Sequence, residues 1–331
     1  MNYDAILWVS FGGPEKHEDI LPFLENVLRG RNVPRERMLV VAEHYHHFGG
    51  KSPINQQNRR MIAALEAELA ASGPRLPIYW GNRNWHPLLP DTVARMKADG
   101  VQRALAFVTS AYSSYSSCRQ YLEDIAKARA AAGAGAPVID KIRAFYNHPG
   151  YIQAMTEQTR EAVARIPEER RSAAHVVYTA HSIPLSMAKN CQYAEQLLEA
   201  CRLVSAGLGR SGDPLVYQSR SGPPTQPWLA PDILEHLREV KSAGQARDVV
   251  IVPIGFVSDH MEVLYDLDTE ARQLCAELGM NMVRAAAVGA NPGFAAMVRE
   301  LILERINGNS ERPSLGTLGP RPDVCPSGCC L

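Results

Sequence analysis

The chain reads as an α/β protein: two similar doubly wound, Rossmann-like parallel-sheet domains with a cleft between them. Three observations predict this. Short apolar runs alternate with amphipathic stretches almost throughout. The runs are nearly continuous, as strands covered on both faces require. Each half of the chain contains several strand–helix units, so two parallel sheets are the simplest division.

In order, the strand-like runs are "AILWVS" (5–10), "PIYWGN" (77–82), "RALAFVTS" (103–110), "HVVYTA" (175–180), "PLVYQS" (214–219) and "DVVIVPIG" (248–255). Between them lie helical patterns at 55–72, 118–132 and 194–207. The boundary falls in "YNHPGY", giving a first domain over 1–150 and a second over 151–308. From 309 to 331 the chain turns rich in Pro, Gly and Ser, which predicts a Cys-containing tail and no helix.

Lys+Arg and Asp+Glu are both 35. A net charge of zero argues against nucleic acid or an anionic membrane surface as the main partner. No apolar stretch approaches the ~18 residues of a membrane span, and the start "MNYDAILWVSFGG" has no basic n-region, so a soluble, cytoplasmic protein is expected. Seven cysteines, an odd count, speak against a disulfide framework.

Ligands of open parallel sheets bind beyond the carboxyl ends of the strands. After "VVYTA" comes His181, and after "VVIVPIG" comes "FVSDHMEVLYDLDTE". As a helix from about Asp259, that stretch lines up Glu262, Asp266 and Glu270 at i, i+4 and i+8, with no Lys or Arg interleaved. Leu264, Leu267, Ala271 and Leu274 form its apolar stripe. An acidic helix face is ordinarily just solvated. One imidazole and several carboxylates on adjacent strand ends, however, suit a divalent metal such as Fe²⁺, and no thiolate joins them to make a closed zinc site.

Ser52 stands as N-cap and Pro53 as N1 of the next helix, a terminus able to hold an anion. Arg29 and Arg31 occupy a loop from which they can fork onto carboxylates, or form a solvated basic turn. His44, His46 and His47 read as structural residues of a loop. "GLGRSG" (207–212) fits the dinucleotide fingerprint in letters only. It follows a helix and precedes a strand, the reverse of the required context, so it is a helix stop and turn.

"TAHSIPLS", "YQSRSGPPTQPWLAPD" and "PIGFVSDHMEVLYDLDTEA" stand in the order and spacing of the ferrochelatase family. "FGGP", "GGKSPI" and "SAYSSYSSCRQYLEDI" extend the match, and residues 3–307 resemble the family throughout, its first half most like the actinobacterial type that acts on coproporphyrin III. The resemblance implies insertion of Fe²⁺ into a porphyrin in the cleft between the domains. It implies that His181 and Glu262 bind the incoming iron, and that Ser52 and Tyr121 contact the porphyrin. Arg29 and Arg31 match a basic loop that meets propionates. Phe11 stands where many members carry Tyr, keeping an aromatic wall without its hydroxyl.

Two pyrrole protons block a flat porphyrin, so a pocket that buckles the ring exposes the nitrogen lone pairs to metal. On this reading His181 meets the metal and accepts a proton, while Asp266 and Glu270 form a partly hydrated path for iron. Some family members hold a [2Fe–2S] cluster, which the resemblance places on Cys118, Cys325, Cys329 and Cys330. The family also implies a monomer. Protoporphyrin IX as substrate, Co²⁺ as metal, and a non-catalytic tetrapyrrole carrier remain open alternatives. The joint presence of His181 and Glu262 favours catalysis.

Overall fold

The computed structural model describes residues 2–30, 33–223, 225–244, 246–309, 311–326 and 328–330. The apolar runs become strands because a run with no polar alternation finds burial only between two helical layers. The first half contains β1 (Ala5–Ser10), β2 (Ile78–Asn82), β3 (Arg103–Val108) and β4 (Val138–Lys141), and every residue of β1 is buried. The helices α1 (Ile20–Leu28), α2 (Arg35–His47), α3 (Ile54–Ser72), α4 (Leu89–Ala98) and α5 (Gln120–Ala132) connect them. The second half holds α6 (Pro149–Ala164), β5 (His175–His181), α7 (Leu185–Ala188), α8 (Tyr193–Gly207), β6 (Leu215–Gln218), α9 (Ile233–Ser242) and β7 (Asp248–Val252). It continues through α10 (Met261–Val263), a π-helical stretch (Leu264–Ala271), α11 (Arg272–Glu277), β8 (Asn281–Arg284) and α12 (Pro292–Asn307).

Both sheets are parallel and share one strand order. It is β2-β1-β3-β4 in the first and β6-β5-β7-β8 in the second. Register carries the aromatic core: Trp8 on β1 pairs with Trp80 on β2 and Phe107 on β3, and the Trp8 and Phe107 rings lie 4.7 Å apart. The largest apolar cluster runs through both sheets, from Trp8 and Phe107 by way of Phe145 and Phe294 to Tyr178. The halves therefore share a core.

The short edge strands β4 and β8 were not expected. "VIDK" and "NMVR" are four residues each and mix polar with apolar positions, so neither carries the run that marks a buried strand. The segment holding His44, His46 and His47 is a correction of the opposite kind. It is the end of helix α2, not a loop. "GLGRSG" does fall between α8 and β6, as its context required.

Beyond α12 the chain wraps back over the protein as irregular structure. Asn147 Nδ2 donates to the carbonyls of Leu315 and Gly319 at 3.1 and 2.9 Å, and Leu315 N donates to Asn147 O at 2.8 Å. Arg143, fully buried, forks onto Glu304 at 2.8 and 3.0 Å and donates to Pro313 O at 2.9 Å. Backbone groups of the wrap thus find protein partners in place of a helix ladder. No helix of the described residues is long and apolar enough to cross a membrane.

Candidate active site

The expected functional residues gather at the carboxyl ends of strands. His181 is the last residue of β5 and pairs in register with Gln218, the last residue of β6. Its Nδ1 faces the Ser182 carbonyl at 2.5 Å. A carbonyl oxygen only accepts, so Nδ1 carries the proton and Nε2 points the other way. The loop after β7 crosses close over β5. A Cβ at Gly255 would stand 2.7 Å from Ala180 Cβ, so only glycine lets the backbone pass there.

That loop delivers Glu262 to His181. Glu262 Oε2 stands 3.5 Å from His181 Nε2, an ion pair rather than a tight hydrogen bond. The side chains are 53% and 34% accessible, so the pair can be reached from solvent. Desolvation would raise Glu262. The hydrogen bond and charge of His181, with the fields of His260 and His44, outweigh it and hold the carboxyl down at about 2. For His181 desolvation pulls the pKa down, and the Glu262 carboxylate more than reverses it, leaving the imidazole raised. The pair is thus a carboxylate beside an imidazole that readily carries a proton.

The helix expected from about Asp259 starts instead at Met261 and widens into a π-helix from Leu264 to Ala271. Such i→i+5 segments are rare and concentrate at functional sites. Leu267, Ala271 and Leu274 are buried as expected, whereas Leu264 is half-buried. Asp266 is pushed up to about 7. Burial is the main cause and Glu262 and Glu270 add to it, against hydrogen bonds from Ser219 and Gln218. Glu270 is also raised, by burial and then by Asp232. The acidic edge is therefore not a fully ionised, solvated face.

Asp268, on the other side of this helix, answers to Arg284 at the end of β8. Arg284 Nε donates to both Asp268 oxygens at 2.9 Å, and its Nη1 donates to Asp259 Oδ1 at 2.9 Å. Three site neighbours escaped the sequence reading. His44 stacks on Tyr265 with ring centroids 3.5 Å apart and planes 6° from parallel. His260 precedes Met261 and Glu262 and faces both Glu262 and His181 electrically. Tyr45 lies buried with Glu262 in its field. The i, i+3 spacing of His44 and His47 in α2 was the available signal, lost once the segment was read as loop.

The other expected residues belong to the first half. The helix after "GGKSPI" starts at Ile54 with Pro53 in the cap position, so Ser52 lies one residue outside the cap. Ser52 is buried, its Oγ 3.5 Å from Ile54 N, at the outer limit of a hydrogen bond. Tyr121 is buried under the Arg83 guanidinium, 4.2 Å above its ring. Phe11, 36% exposed, meets Phe23 edge-on at 6.3 Å. Arg29 ends α1 and donates to Asn26 Oδ1 at 2.5 Å, while Arg31 lies outside the described residues.

A second constellation forms where the C-terminal segment returns. Cys325 lies close enough to Cys118 and Cys329 for both thiols to act on it, and the Cys329 and Cys330 sulfurs stand 3.5 Å apart. The hydrogen bond from Cys118, with the Lys141 charge, lowers the Cys325 thiol to about 7. The three C-terminal thiols thus become neighbours of Cys118, which is distant in sequence. Among the described residues, no three His, Cys, Asp or Glu side chains are already set as a metal cage.

Residues 3–306 match the family model for ferrochelatase. The chain belongs to the ferrochelatase family. A ferrochelatase of Rhodopirellula baltica is 57% identical over 329 residues, covering 99% of this chain and 93% of that protein. The coproporphyrin III ferrochelatase of Nocardia farcinica is 50% identical over 345 aligned positions, covering 100% and 97%. That of Streptomyces coelicolor is 50% identical, covering 99% and 93%. Among solved structures, the sirohydrochlorin chelatase SirB of Bacillus subtilis subspecies spizizenii, in complex with cobalt, covers 95% of this chain with a TM-score of 0.54 at 12% identity. That likeness shows the fold. As a family member this ferrochelatase is a metal chelatase.

Proposed function

We propose that this ferrochelatase inserts Fe²⁺ into coproporphyrin III, with His181 and Glu262 receiving the metal. The observation that carries the reading is the 3.5 Å approach of His181 Nε2 to Glu262 Oε2 at the ends of β5 and α10. Neutral nitrogen and carboxylate oxygen together suit ferrous iron, while a two-residue set leaves coordination positions open. An ion that must leave for the porphyrin is better held by two ligands than by four.

The steps follow from the groups present. With Nδ1–H fixed on Ser182 O, the Nε2 lone pair of neutral His181 faces the metal position. Arriving iron displaces the proton that Glu262 favours on the imidazole. As Fe²⁺ passes to the ring nitrogens, two pyrrole protons are released; His181 Nε2 takes one and solvent water takes the other. Its raised pKa makes it the stronger base beside Glu262. Asp266 and Glu270 extend from Glu262 along the π-helix and feed hydrated iron towards the pair. Ser52, Tyr121 and Phe11 line the porphyrin side, and Arg29 and Arg31 meet propionates. A porphyrin with four carboxylates gives that basic loop more to bind than one with two.

The domains at 1–150 and 151–308 close on the ring from either side, and the tail at 309–331 brings three thiols to Cys118. The donor chemistry of Cys118, Cys325, Cys329 and Cys330 fits a [2Fe–2S] cluster, and their proximity to one another supports one site. When bound, the cluster would supply one-electron chemistry, which iron insertion does not use. The protein acts as a single cytoplasmic chain.

The test is an anaerobic assay of Fe²⁺ insertion with each porphyrin in turn. Coproporphyrin III is expected to give the higher kcat/KM. His181→Ala should abolish insertion and still quench or shift porphyrin fluorescence on binding. Normal turnover by that variant would overturn the assignment, and preference for protoporphyrin IX would overturn the substrate.

A further inference from the structure

Asp266, the middle carboxylate of the acidic edge, is gripped from β6. Gln218 Nε2 donates to Asp266 Oδ2 at 3.2 Å, and the Ser219 hydroxyl donates to the same oxygen. Neither donor takes Oδ1. Gln218 is almost fully buried and is the register partner of His181. Its Oε1 has no hydrogen-bond partner among the described residues.

Ser219 reaches Asp266 only through an unusual backbone. Its φ is +61°, in the left-handed region that residues with a Cβ seldom enter. Turns at strand ends ordinarily place Gly, Asn or Asp there. Serine tolerates the position at a cost, and local strain of this kind is retained where the surrounding structure needs it. Here the left-handed turn swings the hydroxyl off the sheet and onto the π-helix. Two consecutive residues of one strand end thereby clamp one oxygen of one carboxylate.

We infer that Ser219 is a positioning residue for iron delivery. Its left-handed turn and hydroxyl, with the Gln218 amide, fix the Asp266 carboxylate one turn from Glu262 so that its free oxygen can pass a hydrated ferrous ion to the His181–Glu262 pair. The inference rests on the reading of the acidic edge as an iron path. Without the clamp, a carboxylate on a helix rim samples several rotamers and holds the ion in few of them.

The experiment measures Fe²⁺ dependence of insertion in the full chain for Ser219→Gly, Ser219→Asn, Asp266→Asn and the Ser219→Gly/Asp266→Asn double variant. Glycine keeps the turn without strain and deletes the donor, so unfolding does not confuse the result. Asparagine tolerates the left-handed turn and restores a side-chain N–H. The expected result for Ser219→Gly is a roughly three- to tenfold rise in KM for Fe²⁺, the net worth of an ordinary hydrogen bond, with kcat within about twofold and thermal stability retained. Ser219→Asn should recover part of that rise, and the double variant should be no worse than Asp266→Asn alone. An unchanged KM in Ser219→Gly beside a raised KM in Asp266→Asn overturns the positioning role and spares the iron path. An unchanged KM in both overturns the path and the inference with it. A loss of stability with no KM effect assigns Ser219 to the fold alone and also overturns it.

Discussion

Gln57 and Asp259, 202 positions apart, exchange two hydrogen bonds: Asp259 N donates to Gln57 Oε1 at 2.8 Å, and Gln57 Nε2 donates to Asp259 Oδ2 at 3.3 Å. Gln57 belongs to α3 in the first half, and Asp259 opens the segment that carries His260 and Glu262 in the second. The segment that carries Glu262 is therefore tied to the half that contains Ser52. Gln57→Leu should leave the buried Asp259 N–H unpaired and cost about 1–3 kcal/mol. Urea denaturation reads the loss, and insertion kinetics should show a lower kcat/KM for Fe²⁺. A denaturation midpoint equal to wild type would show that the two hydrogen bonds contribute nothing.

Arg284 has a related duty on the far side. It is 13% accessible and holds Asp259, also 13%, and Asp268, 21%, in one grip. Deleting the cation strands two poorly solvated carboxylates, so Arg284→Met should destabilise by about 3–5 kcal/mol. Removing the acids as well, in an Asp259→Asn/Asp268→Asn/Arg284→Met triple variant, should recover much of that loss. Additive effects across wild type, Arg284→Met, Asp259→Asn/Asp268→Asn and the triple variant would mean that the three groups do not act as a unit.

What the residues told in advance follows from how local the signal was. The strands β1, β2, β3, β5, β6 and β7 and the helices α3, α5 and α8 were legible because each lies in an apolar run or a helical period. The edge strands β4 and β8 take their identity from a neighbouring strand, which no four-residue window records. That His181 and Glu262 would meet was legible because each follows a strand of the same sheet, β5 and β7, which are neighbours. The Arg284 grip, the His44–Tyr265 stack and the Ser219 clamp were not. Each depends on side chains from separate elements meeting, and in Ser219 on a backbone angle that serine gives no reason to expect. The π-helix was hidden for a similar reason, since i, i+4 spacing alone does not separate it from an α-helix.

The thiol group makes a prediction that separates it from the catalytic cleft. Anaerobic reconstitution with iron and sulfide should give a visibly coloured protein with acid-labile sulfide. Cys118→Ser and Cys329→Ser should each lose most of the colour, because a missing thiolate opens the ligand set. Cys201→Ser is the control, being a buried thiol of the second half's core. Colour that survives Cys118→Ser, or a wild-type protein that stays colourless, would remove the cluster from the account.

His148 predicts how the fold fails in acid. It is 1% exposed, and its Nδ1 accepts from Gly150 N at 3.2 Å to cap α6. Its Nε2 is buried without a hydrogen bond among the described residues, and Glu300 Oε2, 3.6 Å away on a half-exposed side chain, is too far to make one. Burial first, then the charge of Arg143, lowers the imidazole to about 3 from its ordinary 6.5. The folded state therefore prefers the neutral ring, and the unfolded chain binds more protons between those two values. The contribution to stability is complete above 6.5 and is lost progressively as pH falls from 6.5 towards 3. His148→Asn keeps a capping acceptor and removes the titration. Its thermal midpoint should sit at or below wild type at about pH 7 and fall less steeply towards about pH 4. The His175–His236 pair, whose members are also lowered by burial, titrates in both proteins and cancels in the difference. Parallel curves for the two proteins would show that His148 is not the acid-sensitive cap.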